Sequence, residues 1–257
     1  MKLCIFTGPT LSAVEGKQQL DALFFPPAAQ GDVYRAALGK PVAIGIIDGY
    51  FDHVPSVSHK EILWAMAQGV HVLGAASMGA LRAAELSLFG MEGVGDIYNA
   101  YARGDLVADD EVTVAHASAE DGYRPLSEAR VNLRATLRAA ELAGVIPTAT
   151  RKRLEEVVRS LFYPDRCYPL LLRRAAEEGV PPEHLDALRA FLPKGRVDQK
   201  RLDALALLGV MRERFAGGVE PKRVRYHFET TDAWEHIREH AERRACESTC
   251  TTMEAGQ

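Results

Sequence analysis

Through its first half the chain alternates short apolar runs with amphipathic ones, and that alternation limits the fold more than any other feature. "LCIF" (3–6), "PVAIGIIDG" (41–49) and "VHVLGAA" (70–76) are brief, apolar and bounded by Gly, Pro or Asp. "GDVYRAALG" (31–39), "SHKEILWAMAQG" (58–69) and "MGALRAAELSLFG" (78–90) carry apolar residues at helical spacing. Strands that alternate with helices in this way predict a parallel sheet covered by helices. Sites in such sheets gather beyond the carboxyl ends of the strands, here residues 7–10, 48–52 and 75–79. "QLDALF" (19–24) reads as a helical turn or a short strand. Ser58 and Glu61 have the spacing of a capping box, and Gly69 marks the end of that helix.

The second half changes character. "EVTVAHA" (111–117) and "GYRPL" (122–126) read as a hairpin across "SAED". Beyond Ser127 the apolar residues recur at three and four, and Pro147, Pro164, Pro181, Pro182 and Pro193 punctuate the pattern. The expected class is α/β, an N-terminal mostly parallel sheet flanked by helices with a C-terminal helical subdomain. The expected division is a core over 1–126, a helical subdomain over 127–245 and a disordered tail over 246–257.

Composition narrows the function. Hydrophobic residues make up 47% and charged residues 26%, enough to fill a sizeable core. A net charge of -4 argues against general nucleic-acid binding. No apolar run approaches the ~20 residues of a membrane span, and "MKLCIFTGPT" reads as a first strand rather than a signal peptide. A cytoplasmic location is expected. Lys and Arg cluster at 151–153, 194–201 and 222–225, either as solvated helix faces or as a docking surface for an acidic partner.

One hydroxyl stands at a chemically suggestive corner. Ala75-Ala76-Ser77-Met78-Gly79 has the small-x-Ser-x-Gly form of a nucleophile elbow, where small residues permit a sharp strand-to-helix turn. The first N–H groups of the helix would then point toward a developing oxyanion. The competing reading is that Ser77 is simply a helix N-cap. A serine nucleophile needs a base. The histidines at hand are His53, His59, His71 and His116, and His71 begins its strand at the wrong end of the sheet. Lys60 starts the preceding helix on the elbow's edge of the sheet, and a Ser–Lys pair is a known variant of the serine mechanism. Otherwise Lys60 is a solvated first-turn residue paired with Glu61 or Glu15. Arg82 and Glu85 form an i,i+3 ion pair, with Arg82 near enough to the elbow to hold an anion. Asp48 ends its strand and would orient Lys60 or cap a helix.

No cofactor is expected. "GPTLSAVEGKQ" lacks the glycine and the Ser/Thr that a phosphate loop requires around Gly16-Lys17. Cys246 and Cys250 lie four apart with no other metal ligands near in sequence. Cys4 reads as a small buried hydrophobe.

"FTGPTL", "PPAAQGDVYRA", "IGIIDGYF", "SHKEILWAMAQGVHVLGAASMGALRAAEL" and "GVGDIY" together resemble the TfuA-like family over about the first 125 residues. The resemblance implies a role beside YcaO enzymes in making peptide thioamides. The YcaO enzyme activates a backbone amide with ATP. Its TfuA-like partner releases sulfide from a thiocarboxylated ubiquitin-like carrier of the ThiS type and helps engage the precursor peptide. It implies a Ser–Lys pair, which by motif falls on Ser77 and Lys60. Gly79, Thr10, Gly8, Asp48, His59 and Arg82 are the accompanying oxyanion or substrate-binding candidates. The alternatives are a non-catalytic adaptor that recruits peptide or carrier, and more remotely a generic serine esterase. A persulfide route through Cys4 also stays open.

Overall fold

A computed structural model describes the protein over residues 2–51 and 54–254, with side chains up to residue 243. The expected parallel sheet is present. Its strands are β1 (Leu3–Phe6), β2 (Leu23–Phe25), β3 (Ala43–Ile46), β4 (His71–Ala75) and β5 (Glu92–Val94). They are all parallel, in the spatial order β2-β1-β3-β4-β5. The helices between them are α1 (Ala13–Gln19), α2 (Asp32–Leu38), α3 (His59–Ala67) and α4 (Met78–Leu86), and α5 (Asp96–Arg103) follows β5. The sequence reading missed α1 and β5. Both are short, at 7 and 3 residues, and neither carries a clear period.

Alternation along each strand sends side chains to opposite faces. Cys4, Phe6, Ile44, Ile46 and Val72 face a core with α2, α3 and α4, through Val33, Ile62, Met66 and Ala83. Leu3, Ile5, Ala43, Leu73 and Ala75 face the other way. There they meet Leu20 after α1 and Ala204, Leu207, Leu208 and Met211 of α10 (Gln199–Phe215). The chain therefore returns from its helical half to cover the sheet. Between lie α6 (Arg130–Leu142), α7 (Thr148–Ser160), α8 (Tyr168–Glu177) and α9 (Pro182–Gly195), which pack around Leu133, Leu137, Leu154, Leu171 and Leu188.

The segment after α10 runs as a strap across the ends of α3 and β4. The Lys222 N–H donates to the Gly69 carbonyl (2.8 Å) and the Tyr226 hydroxyl to that of Leu63 (2.7 Å). It leads to α11 (Asp232–Glu254), where Trp234 packs edge-on against Tyr34 of α2, beside Trp64. This helix enters the stretch read as a tail. The side chains of Cys246 and Cys250 lie outside the described residues, as does His53.

Residues 105–129 connect α5 to α6 over the carboxyl edge of the sheet. The hairpin read from the sequence is reduced to one antiparallel bridge, His116 with Pro125, closed by Ala117 N–H to Arg124 O at 2.9 Å. Asp110 anchors this segment by accepting from the fully buried Arg166 (2.6 Å) and from Arg130 (2.7 Å).

The capping box at Ser58 is present, and its glutamate does more than cap one helix. The fully buried Glu61 carboxylate accepts from the N–H groups of Ser58 (2.6 Å), Val33 (3.0 Å), Gly31 (3.1 Å) and Tyr34 (3.3 Å). It thereby joins the start of α3 to the start of α2. Glu61→Ala leaves those donors without an acceptor and is expected to cost about 3 kcal/mol in denaturant unfolding. Burial pushes the Glu61 pKa up to about 7 against the pull of these N–H groups. Between the ordinary carboxylate range and pH 7 the folded state then binds more protons than the unfolded state. Stability falls as pH rises through that window, and Glu61→Ala should flatten the slope.

Candidate active site

The turn from β4 into α4 is an elbow, and glycine makes it possible. A Cβ on Gly79 would lie 1.8 Å from the Ile46 carbonyl oxygen, and one on Gly74 would lie 2.0 Å from the Gly79 oxygen. The helix therefore starts directly on the backbone of β3 and β4. Ala76 takes the left-handed conformation (φ 65°), uncommon for a residue with a Cβ. The Ser77 N–H donates back to the Ala75 carbonyl at 2.7 Å, closing a tight turn. Ser77 stands at the N-cap position of α4, yet its side chain makes no capping hydrogen bond. The simple N-cap reading of this serine therefore has no bond to rest on.

The order β2-β1-β3 places the reversal of strand order between β1 and β3, where open α/β sheets form a crevice. Here Asp48, two residues beyond the end of β3 at Ile46, fills it. Its carboxylate accepts from the Gly8 N–H (2.9 Å), the Thr10 N–H (3.0 Å) and the Thr10 hydroxyl (2.6 Å). The loop that would cradle a phosphate in other folds thus binds a carboxylate of the same chain.

Ser77 and Asp48 open into a cavity of about 260 Å³. Its roof comes from the 105–129 segment, through Val112, Thr113, Val114 and His116. His116 directs Nδ1 at the Ala117 carbonyl (2.8 Å), and its ring lies beside those of Tyr50 and Tyr123. The amine on the wall belongs to Lys200 of α10. Lys200 is buried, donates to the Val112 carbonyl (2.8 Å) and stands 4.0 Å from Asp48 Oδ1. A second cavity of about 280 Å³ lies on the other side of Lys200, with Glu128 and Asp198 among its lining residues. Asn132 ties these two carboxylates together, donating to Glu128 (2.9 Å) and Asp198 (3.0 Å). Burial lowers the Lys200 pKa, and Asp48, Asp198 and Glu128 oppose that shift.

The residues expected from the sequence divide into two groups. Ser77 and Asp48 meet in the cavity. Gly8 and Thr10 adjoin it, but their N–H groups are committed to Asp48. The Gly79 N–H is likewise committed, donating to the Ile47 carbonyl at 3.3 Å, which corrects its reading as an oxyanion donor. The Met78 N–H is the first of the helix and has no intrahelical partner.

Lys60, His59 and Arg82 do not line the cavity. The Lys60 amine donates to the Glu229 carbonyl of the strap (3.0 Å) and lies 5.2 Å from the Phe228 ring centre. Asp48 orients toward Lys200 and not toward Lys60. His59 pairs with Glu85 at 2.7 Å. Arg82 spends its guanidinium on Glu85 (2.7 Å), the Val57 carbonyl (3.0 Å) and the Ser56 hydroxyl (3.1 Å), so its role is to hold the 56–57 loop to α4 and not to hold an anion.

In the sequence Lys200 stands out only as part of the 194–201 basic cluster. It falls four residues before Ala204 and seven before Leu207, on the buried stripe of α10, and that register was the signal for it. Several of the other clustered cations are engaged within the chain. Arg151 pairs with Glu155 (2.7 Å) and Glu141, Arg153 caps the carbonyls that end α8, and Lys222 meets Glu92 (3.1 Å). Cys4 is buried, and burial raises its thiol pKa, away from the thiolate that a persulfide route needs.

Among the described residues no group of His, Cys, Asp and Glu has metal-site geometry, and no helix is long and apolar enough to cross a membrane. No curated protein matches the chain. The family model for TfuA-like protein matches residues 48–167, from Asp48 to the residue before α8. That stretch contains the elbow and the cavity roof, but neither the Gly8–Thr10 loop nor Lys200. The resemblance to the TfuA-like family that the motifs carried is thereby supported over residues 48–167.

Proposed function

We propose that this protein hydrolyses the C-terminal thiocarboxylate of a ubiquitin-like sulfur carrier of the ThiS type. The sulfide it releases goes to a YcaO enzyme for backbone thioamidation of a ribosomal peptide. The family match supports the setting, and one observation carries the chemistry. An uncapped serine hydroxyl sits on a strained elbow and opens into a cavity that Asp48, His116 and Lys200 also line.

Ser77 Oγ bonds to the carbonyl carbon of the thiocarboxylate as a base in the cavity takes its proton. The tetrahedral oxyanion lies against the start of α4, where the Met78 N–H and the helix dipole favour negative charge. Collapse breaks the carbon–sulfur bond. Sulfide leaves with the proton held by the base, and an ester to Ser77 remains. Water, deprotonated by the same base, cleaves that ester. The sum is thiocarboxylate plus water giving carboxylate plus hydrogen sulfide.

Neither nucleotide nor metal enters these steps, so full activity is expected in buffer with a chelator and no ATP. The test is sulfide release from a purified thiocarboxylated carrier. Release well above the buffer rate supports the proposal. A rate equal to buffer, with the carrier or the precursor peptide bound, would leave the protein a recruiting adaptor for YcaO.

A further inference from the structure

We infer that the second cavity is a peptide-binding channel for the extended C-terminal tail of the acyl substrate, entered past Leu126 and Arg196 and leading inward to the Ser77 cavity. The inference rests on the hydrolase reading above for the tail's owner, a ubiquitin-like carrier. It assigns residues on both sides of the TfuA-like boundary, Glu128 within it and Arg196 and Asp198 beyond it.

The two cavities adjoin, since Pro9, Val114 and Lys200 line both. The 105–129 segment covers them in turn, and at the outer end Leu126, Cys167 and Arg196 are exposed to solvent. Size then selects the occupant. A sphere of about 280 Å³ is about 8 Å across, narrower than the ~10–12 Å of an α-helix with its side chains. A chain that reaches Ser77 this way is extended and carries small side chains.

The polar groups select a peptide. Glu128 Oε1 accepts from Asn132 and from the Ala129 N–H (3.2 Å), and Asp198 Oδ1 accepts from Asn132 and from the Arg201 N–H (3.0 Å). Asn132 therefore fixes both carboxylates through one oxygen each. The other oxygens, Glu128 Oε2 and Asp198 Oδ2, accept nothing from the described residues. Arg196 supplies the opposite character. Its guanidinium stands 4.5 Å over the ring of Tyr168, a buried platform whose hydroxyl is held by Thr136 at 2.8 Å. Among the described residues Arg196 has no ion pair and no hydrogen bond. The channel thus offers open acceptors and open donors side by side. A peptide backbone carries both N–H and C=O groups and can satisfy both. A simple anion would meet two carboxylates, and an alkyl chain would leave all these groups without partners.

The experiment uses the full-length protein and its own reporter. Cys167 is exposed and lines the channel, so its alkylation by iodoacetamide, read by mass spectrometry, reports occupancy without any turnover. The probe is a purified ThiS-type carrier that ends in an ordinary carboxylate. At about ten times its Kd the probe should slow alkylation about tenfold, because only about one site in eleven is then free. The same carrier lacking its last few residues should not protect. Arg196→Ala should raise the carrier concentration for half-protection about tenfold, the scale of one charge-assisted hydrogen bond. Arg196→Lys keeps the charge without the fork and should recover part of that loss. With thiocarboxylated carrier, Arg196→Ala should act on KM for sulfide release far more than on kcat.

Protection by intact and truncated carrier alike would put the folded domain, and not the tail, over this mouth and overturn the inference. Sulfide release with Cys167 unprotected would overturn it while keeping the hydrolase. An Arg196→Ala protein that is protected like wild type would overturn it as well. Tail-dependent protection in a protein that releases no sulfide would uphold the channel and remove the hydrolase reading instead.

Discussion

Ser77→Ala should fold like wild type and lose at least about a thousandfold in sulfide release from a thiocarboxylated carrier, some 4 kcal/mol of barrier. The structural half of that expectation follows from what the hydroxyl does not do. It makes no cap to α4, so removing it breaks no bond that holds the elbow. The surrounding turn depends on backbone contacts and small residues, which alanine preserves. The catalytic half follows from covalent chemistry, because without Oγ no acyl-enzyme can form. What survives would come from the cavity and the helix N-terminus alone. Thermal unfolding and sulfide release should be measured on the same preparation. A variant within about tenfold of wild type would remove Ser77 from the mechanism, since ~1.4 kcal/mol is too little for the loss of a nucleophile.

Gly79→Ala should be the most damaging single methyl group in this protein. Its Cβ would meet the Ile46 carbonyl oxygen at 1.8 Å, and both are backbone, so no side chain can turn aside. The start of α4 would have to lift from the sheet, weakening the Gly79 N–H bond to Ile47 and the contact between Gly74 and the Gly79 carbonyl. Overpacking against side chains costs about 1–3 kcal/mol, and against backbone on two strands we expect 4 kcal/mol or more. That is a large share of the ~5–15 kcal/mol that holds a typical domain together. Gly209→Ala supplies the contrast. It is also a helical glycine, in α10, but a Cβ there meets nothing within 4 Å. Helix propensity alone should make it stabilising by about 0.5–1 kcal/mol. Urea melts of both variants check the pair. If they shift alike, close approach at the elbow does not govern stability there.

The role of α10 changes how the two halves of the chain relate. Its apolar stripe of Ala204, Leu207, Leu208 and Met211 lies against Ile5, Leu73 and Ala75 of the sheet. One turn earlier, the same stripe carries Lys200 to Asp48. Packing that covers the sheet also sets the amine, so damage to that core should reach the site.

The sequence by itself determined the parallel α/β class, the Ser58–Glu61 capping box and the elbow at Ser77. Each depends on neighbours a few residues apart, through strand and helix periods, an i,i+3 side-chain bond, or small residues around a turn. It also supported Asp48 as a strand-end residue of the site. Tertiary structure decided which groups meet. Lys60 and Lys200 both lie in the first turn of a helix that follows a capping residue, Ser58 in one and Asp198 in the other. Local pattern cannot separate them. Lys60 projects to the strap and its Glu229 carbonyl because the chain beyond α10 returns across α3. Lys200 projects into the cavity because α10 crosses the opposite face of the sheet, 152 residues along from Asp48. Which N–H groups remain for an oxyanion was likewise a tertiary matter. Gly8, Thr10 and Gly79 all had plausible donors, and each was taken by an acceptor on a neighbouring strand end, Asp48 or Ile47. A buried donor pairs with whatever acceptor the fold brings near, and sequence spacing does not specify that partner.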